Sequence, residues 1–186
     1  MAPDTAPTVP ATPTAPALRL RPWTEDDIPA IVEAHRDPVL RRWLRHPVTT
    51  YADAARMVRA RRADAEAGAG YSFAILQVEP GRADQLVGSV SVRGLTPVAV
   101  AAEVGYWVAA VARGRGVAPR SVDAIAAWTL AQPRQRPLER LELLHSIGNH
   151  ASCRVAEKTG FRLSAILPPL PPDFPDDGHL HIRPLS

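Results

Sequence analysis

The feature that most constrains this chain lies between Glu103 and Ala118. An apolar strand pattern, Glu103-Val104-Gly105-Tyr106-Trp107-Val108, runs through Arg113-Gly114-Arg115-Gly116-Val117-Ala118 straight into a helical one. The first turn of any helix presents backbone N–H groups without internal partners, and the helix dipole favours an anion there. Small residues at Gly114, Gly116 and Ala118 allow a phosphate close to the main chain, while Arg113 and Arg115 add positive charge. The segment therefore predicts a diphosphate-binding turn, with an ordinary glycine-containing strand-to-helix connection as the alternative. The dinucleotide fingerprint GxGxxG is not met, because Pro119 stands where its third glycine belongs. A Walker loop is not met either: no Lys-Ser/Thr pair follows, and the only lysine, Lys158, is far downstream.

The flanking periodicities place this turn in a larger pattern. Leu18-Arg19-Leu20-Arg21 alternates as a half-buried strand stopped by Pro22. Thr24 and the acidic residues after it open a helix whose face carries Ile28, Ile31, Val32 and His35. An arginine-rich loop (Arg41, Arg42, Arg45) leads to a helix over Ala52–Ala67, ended by Gly68-Ala69-Gly70. Three strands follow, Tyr71–Val78, Leu86–Val92 and Ala99–Val108, with Gly81 and Gly94 in the turns. A helix after Gly116 reaches Leu130, and Leu138–His145 is a strand. Ala151–Thr159 is a helix closed by Gly160, Phe161–Leu167 a strand, and His179–Arg183 a last edge strand. The order β-α-α-β-β-β-α-β-α-β-β implies an α/β fold with a mixed sheet and helices on both faces.

A chain of 186 residues with 46% hydrophobic and 22% charged side chains suits one globular domain. Proline is unevenly spread: of 20, five lie within residues 1–17 among Ala and Thr, and five more within 168–175. The first group predicts a flexible tail over 1–17, since it carries too little apolar surface to offset its ordering entropy, and leaves 18–186 as the folded domain. A formal charge of +3 and a lack of aromatic residues interleaved with the arginines argue against nucleic acid as a partner. No apolar run approaches the ~20 residues of a membrane span, and no secretory signal pattern opens the chain, so a cytoplasmic location is expected. One cysteine, Cys153, excludes an internal disulfide and a thiolate metal cluster. His179 and His181 share a strand face as metal ligands would, but with no third ligand in sight no metal is expected. Cys153, without an orienting His/Asp set, reads as a small helix-packing residue.

The turn at Arg113–Ala118 resembles the coenzyme A turn of the GNAT N-acetyltransferase superfamily, Arg/Gln-x-x-Gly-x-Gly/Ala. Downstream, Asn149-His150-Ala151-Ser152 and Glu157-Lys158-Thr159-Gly160-Phe161 resemble the Asn-x-x-Ser and Glu-Lys-x-Gly-Phe segments of the Rim-type ribosomal-protein acetyltransferases. Leu18–Asp27, Asp37-Pro38 with Trp43, and Glu103–Trp107 are similar to the same branch. The resemblance implies a GNAT fold with strands splayed around the cofactor, acetyl-CoA as cosubstrate, and a primary amine as acceptor, either a protein N-terminus or a small molecule. It implies direct attack in a ternary complex and no catalytic metal. Homodimers are common in such families. An acyl-CoA-binding sensor or scaffold that has lost catalysis is the alternative. Cofactor contacts fall on Trp107, Val108, Arg113, Gly114, Arg115, Gly116, Val117, Ala118 and Asn149. The tyrosine that many relatives use as general acid would stand at Ala156, so that route is absent. The loop with Arg41, Arg42, Arg45 and His46 flanks the acceptor cleft in this family, which reads first as a solvated surface and, as the alternative, as a preference for acceptors with negative charge nearby.

Two catalytic candidates follow. Glu103 is the only charge in an apolar strand; burial would raise its pKa and suit it as a base through a water relay, the alternative being an ion pair with an arginine of the next strand. With Asn149 as helix N-cap, Ser152 falls at the third helical position, where its hydroxyl can hold a water or donate to the departing thiolate.

Overall fold

The structure is a computed structural model that describes residues 7–185. Its eight strands form one sheet in the order β1-β2-β3-β4-β5-β6-β8-β7. The strands are β1 (Thr8–Val9), β2 (Ala17–Pro22), β3 (Gly70–Val78), β4 (Gln85–Arg93), β5 (Ala101–Val108), β6 (Arg140–Ser146), β7 (Arg162–Leu167) and β8 (Gly178–Pro184). The helices are α1 (Ile28–Ala34), α2 (Pro38–Trp43), α3 (Tyr51–Glu66), α4 (Val117–Ala131) and α5 (His150–Lys158). Every neighbouring pair is antiparallel except β5–β6, so the sheet is mixed, as the pattern of elements implies.

Alternation along the central strands separates two cores. Phe73 and Ile75 of β3, Val90 and Val92 of β4 and Val104 of β5 meet Val122, Ile125 and Ala126 of α4 and Ala156 of α5 on one face. Ala74 of β3 and Trp107 of β5 join Ile31, Val32, Leu40, Ala54 and Val58, from α1 to α3, on the other. Burying each such aliphatic side chain is worth about 1.5–3 kcal/mol, so both faces of β3, β4 and β5 are held firmly.

Three expectations are corrected. The flexible tail over 1–17 does not extend through its later part: Thr8–Val9 pairs with Leu18–Arg19, and Val9 joins the core. Arg120 of α4 fixes this segment, its guanidinium donating to the carbonyls of Pro16 (2.9 Å) and Pro10 (2.6 Å). The remainder of the expected tail, residues 1–6, lies outside the described residues, as does residue 186. The arginine-rich loop holds a short helix, α2, because Asp37 accepts from the N–H groups of Val39 (3.1 Å) and Leu40 (3.2 Å) and Pro38 starts the first turn. Finally, β8 is not an edge strand; it inserts antiparallel between β6 and β7, leaving β7 at the edge.

The parallel pairing of β5 with β6 sets up the site. It covers only Ala101–Arg140, Ala102–Leu141 and Glu103–Glu142. Beyond that point β5 continues to Val108 along β4, β6 continues to Ser146 along β8, and the two diverge. Among the described residues no helix is long and apolar enough to cross a membrane.

Candidate active site

The gap between β5 and β6 has one main-chain wall. Ala109 donates its N–H to the carbonyl of Val87 (2.9 Å), and the carbonyl of Val100 accepts from Glu139 of the opposite side (2.8 Å). Strand alternation then turns the peptide groups of Gly105 and Trp107 toward β4, and those of Val104, Tyr106 and Val108 toward the gap. An extended, amide-containing cofactor arm can pair with such an edge as a strand would. The carbonyl of Val108 also accepts from Nε of Arg113 (3.2 Å), which ties the strand end to the turn that follows.

That turn begins as a 3-10 segment over Ala110–Ala112 and passes through two left-handed glycines, Gly114 (φ +76°) and Gly116 (φ +73°). Glycine adopts this conformation without the Cβ clash that other residues meet. Gly116 is the N-cap of α4, and no side chain caps the helix start. The amides of Gly116, Val117 and Ala118 thus stand at a positive helix end; Pro119, inside the first turn, supplies none. The two arginines of the turn differ. Arg115 is exposed, whereas Arg113 is half-buried and forms an ion pair with Asp37, so its charge is matched and its role is to brace the turn against α2.

Across the gap, α5 starts at the end of β6. Asn149 is its N-cap, with Oδ1 accepting from the N–H of Ser152 (3.2 Å). Ser152 is 9% exposed and faces β5, where the hydroxyl of Tyr106 donates to its Oγ at 2.9 Å. Burial pushes the Tyr106 phenol up to about 12, the bond to Ser152 opposing this only in part, so the phenol stays protonated and remains the donor. The serine keeps its own proton to give. Ala156 is fully buried, leaving no side-chain acid there; Tyr106 brings a phenol to this helix from the opposite strand instead. Its place on the same strand face as Val104 and Val108 was readable in the sequence, but its partner, 46 residues away, was not.

Two further sequence candidates have surroundings of a different kind. Of the two readings of Glu103, the ion pair with an arginine of the next strand is the one present: it sits where β5 and β6 part, its side chain is 35% exposed, and its partner is Arg93, opposite it on β4. The Trp107 side chain does not face the gap. It is 9% exposed in the core under α1–α3, stacked on Trp23 (6.3 Å between ring centroids) and edge-on to His35 (5.3 Å). Odd-numbered side chains of β5 lie on the α1–α3 face of the sheet, and only the peptide groups of the even-numbered residues are turned to the gap.

The reading of His179 and His181 as lacking a third ligand is also overturned. His145 of β6 and Cys153 of α5 join them, with one potential ligand atom from each lying within 4.8 Å of the others.

On the side away from α4, Trp43 lies against Gly148, and the guanidinium of Arg45 sits over the ring of Phe174 at 4.3 Å. Arg42 covers Trp43 at 4.6 Å. Ser146 donates to Asp176 (3.3 Å). The loop after α2 and the proline-rich β7–β8 loop thereby meet at the entrance to α5, with Arg41, Arg42 and Arg45 exposed.

The profile of a family described as "Acetyltransferase (GNAT) domain" matches residues 17–162. No curated protein matches the chain. Among solved structures it is similar to Mycobacterium smegmatis RimJ in complex with a CoA disulfide, with 24% identity, a TM-score of 0.80, and coverage of 100% of this chain and 90% of that one. It is similar to a Salmonella typhimurium acetyl transferase that modifies the N-terminal serine of a 50S ribosomal-subunit protein (20% identity, TM-score 0.78, 96% and 99% covered). A third such structure is the microcin self-immunity acetyltransferase MccE in complex with acetyl-CoA and AMP (14% identity, TM-score 0.78, 94% and 98% covered). At these identities the likeness is one of fold. The family match spans the open β5–β6 gap, the glycine turn and the start of α5, and by it the chain belongs to the GNAT acetyltransferase family, an acyltransferase that takes an acetyl group from acetyl-CoA and passes it to an amine.

Proposed function

We propose that the acceptor is the α-amine of a protein N-terminus, and that Ser152, held by Tyr106, protonates the departing thiolate of coenzyme A. The amine lone pair attacks the thioester carbonyl carbon, and the carbonyl electrons move to oxygen. Their return expels the thiolate, the new ammonium loses its proton to water, and the Ser152 hydroxyl donates to sulfur while the Tyr106 phenol supports the serine oxygen, which takes a proton back from solvent. The products are an N-acetyl amide and free coenzyme A. The observation that carries this reading is the 2.9 Å bond from Tyr106 to Ser152 across the gap, because it fixes the serine's orientation at the mouth between the splayed strands.

Choice of acceptor follows from the absence of a free base at Glu103. Deprotonating an α-amine of pKa about 8 costs ~1 kcal/mol at pH 7, whereas a lysine near 10.4 costs ~4–5 kcal/mol. An ion-paired carboxylate is a poor source of that second sum, so the site suits the first kind of amine. The cofactor is held by the amides of Gly116, Val117 and Ala118, the edge at Val108, and Asn149, with Gly114 shaping the turn and Arg115 adding charge. Exposed Arg41, Arg42 and Arg45 favour N-termini followed by acidic residues. Release of coenzyme A measured against peptides with free and blocked N-termini, with and without lysine, tests this. Turnover confined to free α-amines, and faster for acidic sequences, is the expected result; a preference for lysine side chains, or saturable acetyl-CoA binding without turnover on any amine, would overturn it.

A further inference from the structure

Beneath α5, next to Ser152, three imidazoles and the thiol converge. His145 and His179 are direct cross-strand partners on β6 and β8, and His181 lies opposite Leu143, two residues along. The ring centroids are 5.1 Å (His145–His181), 5.4 Å (His145–His179) and 5.8 Å (His179–His181) apart. Cys153 approaches from the helix above, its Sγ 3.7 Å from Nε2 of His145 and 3.4 Å from Nδ1 of His179. A zinc tetrahedron with bonds of about 2.0–2.3 Å has edges of about 3.3–3.8 Å, so both contacts have the length of its nitrogen–sulfur edges.

The surroundings prepare the donors. Nδ1 of His145 lies 2.8 Å from the carbonyl of Ser146. A carbonyl only accepts, so Nδ1 carries the hydrogen and Nε2, the atom facing Cys153, keeps its lone pair; this is how a backbone carbonyl fixes the tautomer of a metal-binding histidine. His181 is 3% exposed, and neither ring nitrogen makes a hydrogen bond of normal geometry. A buried, unpaired imidazole aimed at three other donors is costly unless something binds there.

We propose that His145, Cys153, His179 and His181 bind one zinc ion in a closed tetrahedral site of three nitrogens and one sulfur that anchors the first turns of α5. Three imidazoles and a thiolate without an oxygen ligand suit zinc rather than magnesium or calcium. With four protein ligands no position remains for substrate, so the ion is structural. Binding releases the thiol proton to solvent. The ion joins β6, β8 and α5, and because Ser152 directly precedes Cys153 it also steadies the serine that faces Tyr106.

The test uses tag-free full-length protein stripped with a chelator and titrated with cobalt(II) and with zinc. Cobalt should saturate at one ion per chain with intense visible bands and a thiolate-to-cobalt band in the near ultraviolet, and zinc should displace it and raise the melting temperature. Cys153→Ser should lose the thiolate band, and His179→Ala should weaken zinc binding by at least about 100-fold, the upper range for outer-shell losses. Both positions are only part-buried, and an unchanged circular dichroism spectrum of each metal-free variant shows that it folds. No saturable binding at micromolar metal, or a cobalt spectrum that survives Cys153→Ser, would overturn the proposal. Coenzyme A binding, measured separately, reports on the acyl-transfer reading and leaves this one untouched.

Discussion

Helices α4 and α5 both begin at the rim of the same gap, yet their first turns are made of different material. That of α4 is main chain: a left-handed glycine at the N-cap, no capping side chain, and amides directed outward. That of α5 is side chain: Asn149 caps it, Ser152 meets Tyr106, and Cys153 meets three histidines. Amides at a helix end suit a multiply charged group that is the same in every turnover. Oriented hydroxyls suit a step at which charge appears and must be quenched. The contrast assigns affinity for the cofactor to α4 and rate to α5, and substitutions can be chosen to break that division.

The largest effect is expected at the reacting sulfur. Ser152→Ala should lower kcat by about 10²-fold or more, the usual worth of a positioned proton donor, with the KM for acetyl-CoA within about twofold. A matching rise in KM would mean that α5 serves binding as well as rate. Tyr106→Phe removes only the group that orients the serine, so a loss of about 10-fold in kcat is expected, in line with one buried hydrogen bond. Stopped-flow or steady-state release of coenzyme A reads both.

The same pair makes a statement about pH. Activity should rise through about pH 8 as the acceptor α-amine loses its proton, then stay level to about pH 10. An ordinary phenol would ionise near 10 and bring a falling limb, but burial has pushed Tyr106 up to about 12, so its proton is retained throughout that range. A decline between about pH 9 and 10 that vanishes in Tyr106→Phe would refute the assigned environment.

A smaller effect belongs to α4. In Gly116→Ala the new Cβ would meet only Cδ of Arg120 at 3.7 Å, so the substitution is not blocked by space. Its cost is the φ of +73°, about 1–2 kcal/mol for a non-glycine residue, part of which appears as displaced amides. Calorimetry should show coenzyme A binding about 5–30-fold weaker, with kcat at saturating acetyl-CoA unchanged. A fall in kcat instead would erase the contrast between the two helix starts.

The difference between these helix starts also governs what could be read from the chain. The α4 turn is local: strand, glycines and helix are contiguous, so their spacing states the backbone geometry outright. The α5 cap is equally local, and Asn149 and Ser152 stand at the helical positions their spacing implies. Contacts that depend on tertiary register were not legible. Tyr106 finds Ser152 only because β5 and β6 diverge, and His145 meets His179 only because β8 inserts beside β6 rather than ending the sheet as an edge. Thr8–Val9 pairs with β2 because a distant arginine, Arg120, holds the proline-rich segment, which composition alone cannot report. Parity along β5 is local as well, and it puts the Trp107 side chain on the α1–α3 face of the sheet.

The smallest effect should come from Glu103, the residue whose isolation in an apolar strand made it look like a base. Its carboxylate faces Arg93 at the point where β5 and β6 part, with both side chains more than a third exposed to solvent. Exposed pairs of this kind contribute about 0–1 kcal/mol, because solvent screens them and two side chains must be ordered. Glu103→Gln should therefore change kcat with an α-amine acceptor by no more than about twofold and barely move the melting temperature. A base removed from the reaction would instead cost about 10²–10⁴ in rate. The two outcomes are so far apart that a single assay decides whether deprotonation is left to the acceptor's own low pKa or is driven by this side chain. A large loss confined to lysine acceptors would show that the carboxylate leaves Arg93 when a more basic amine enters, and would move part of the rate from α5 to β5.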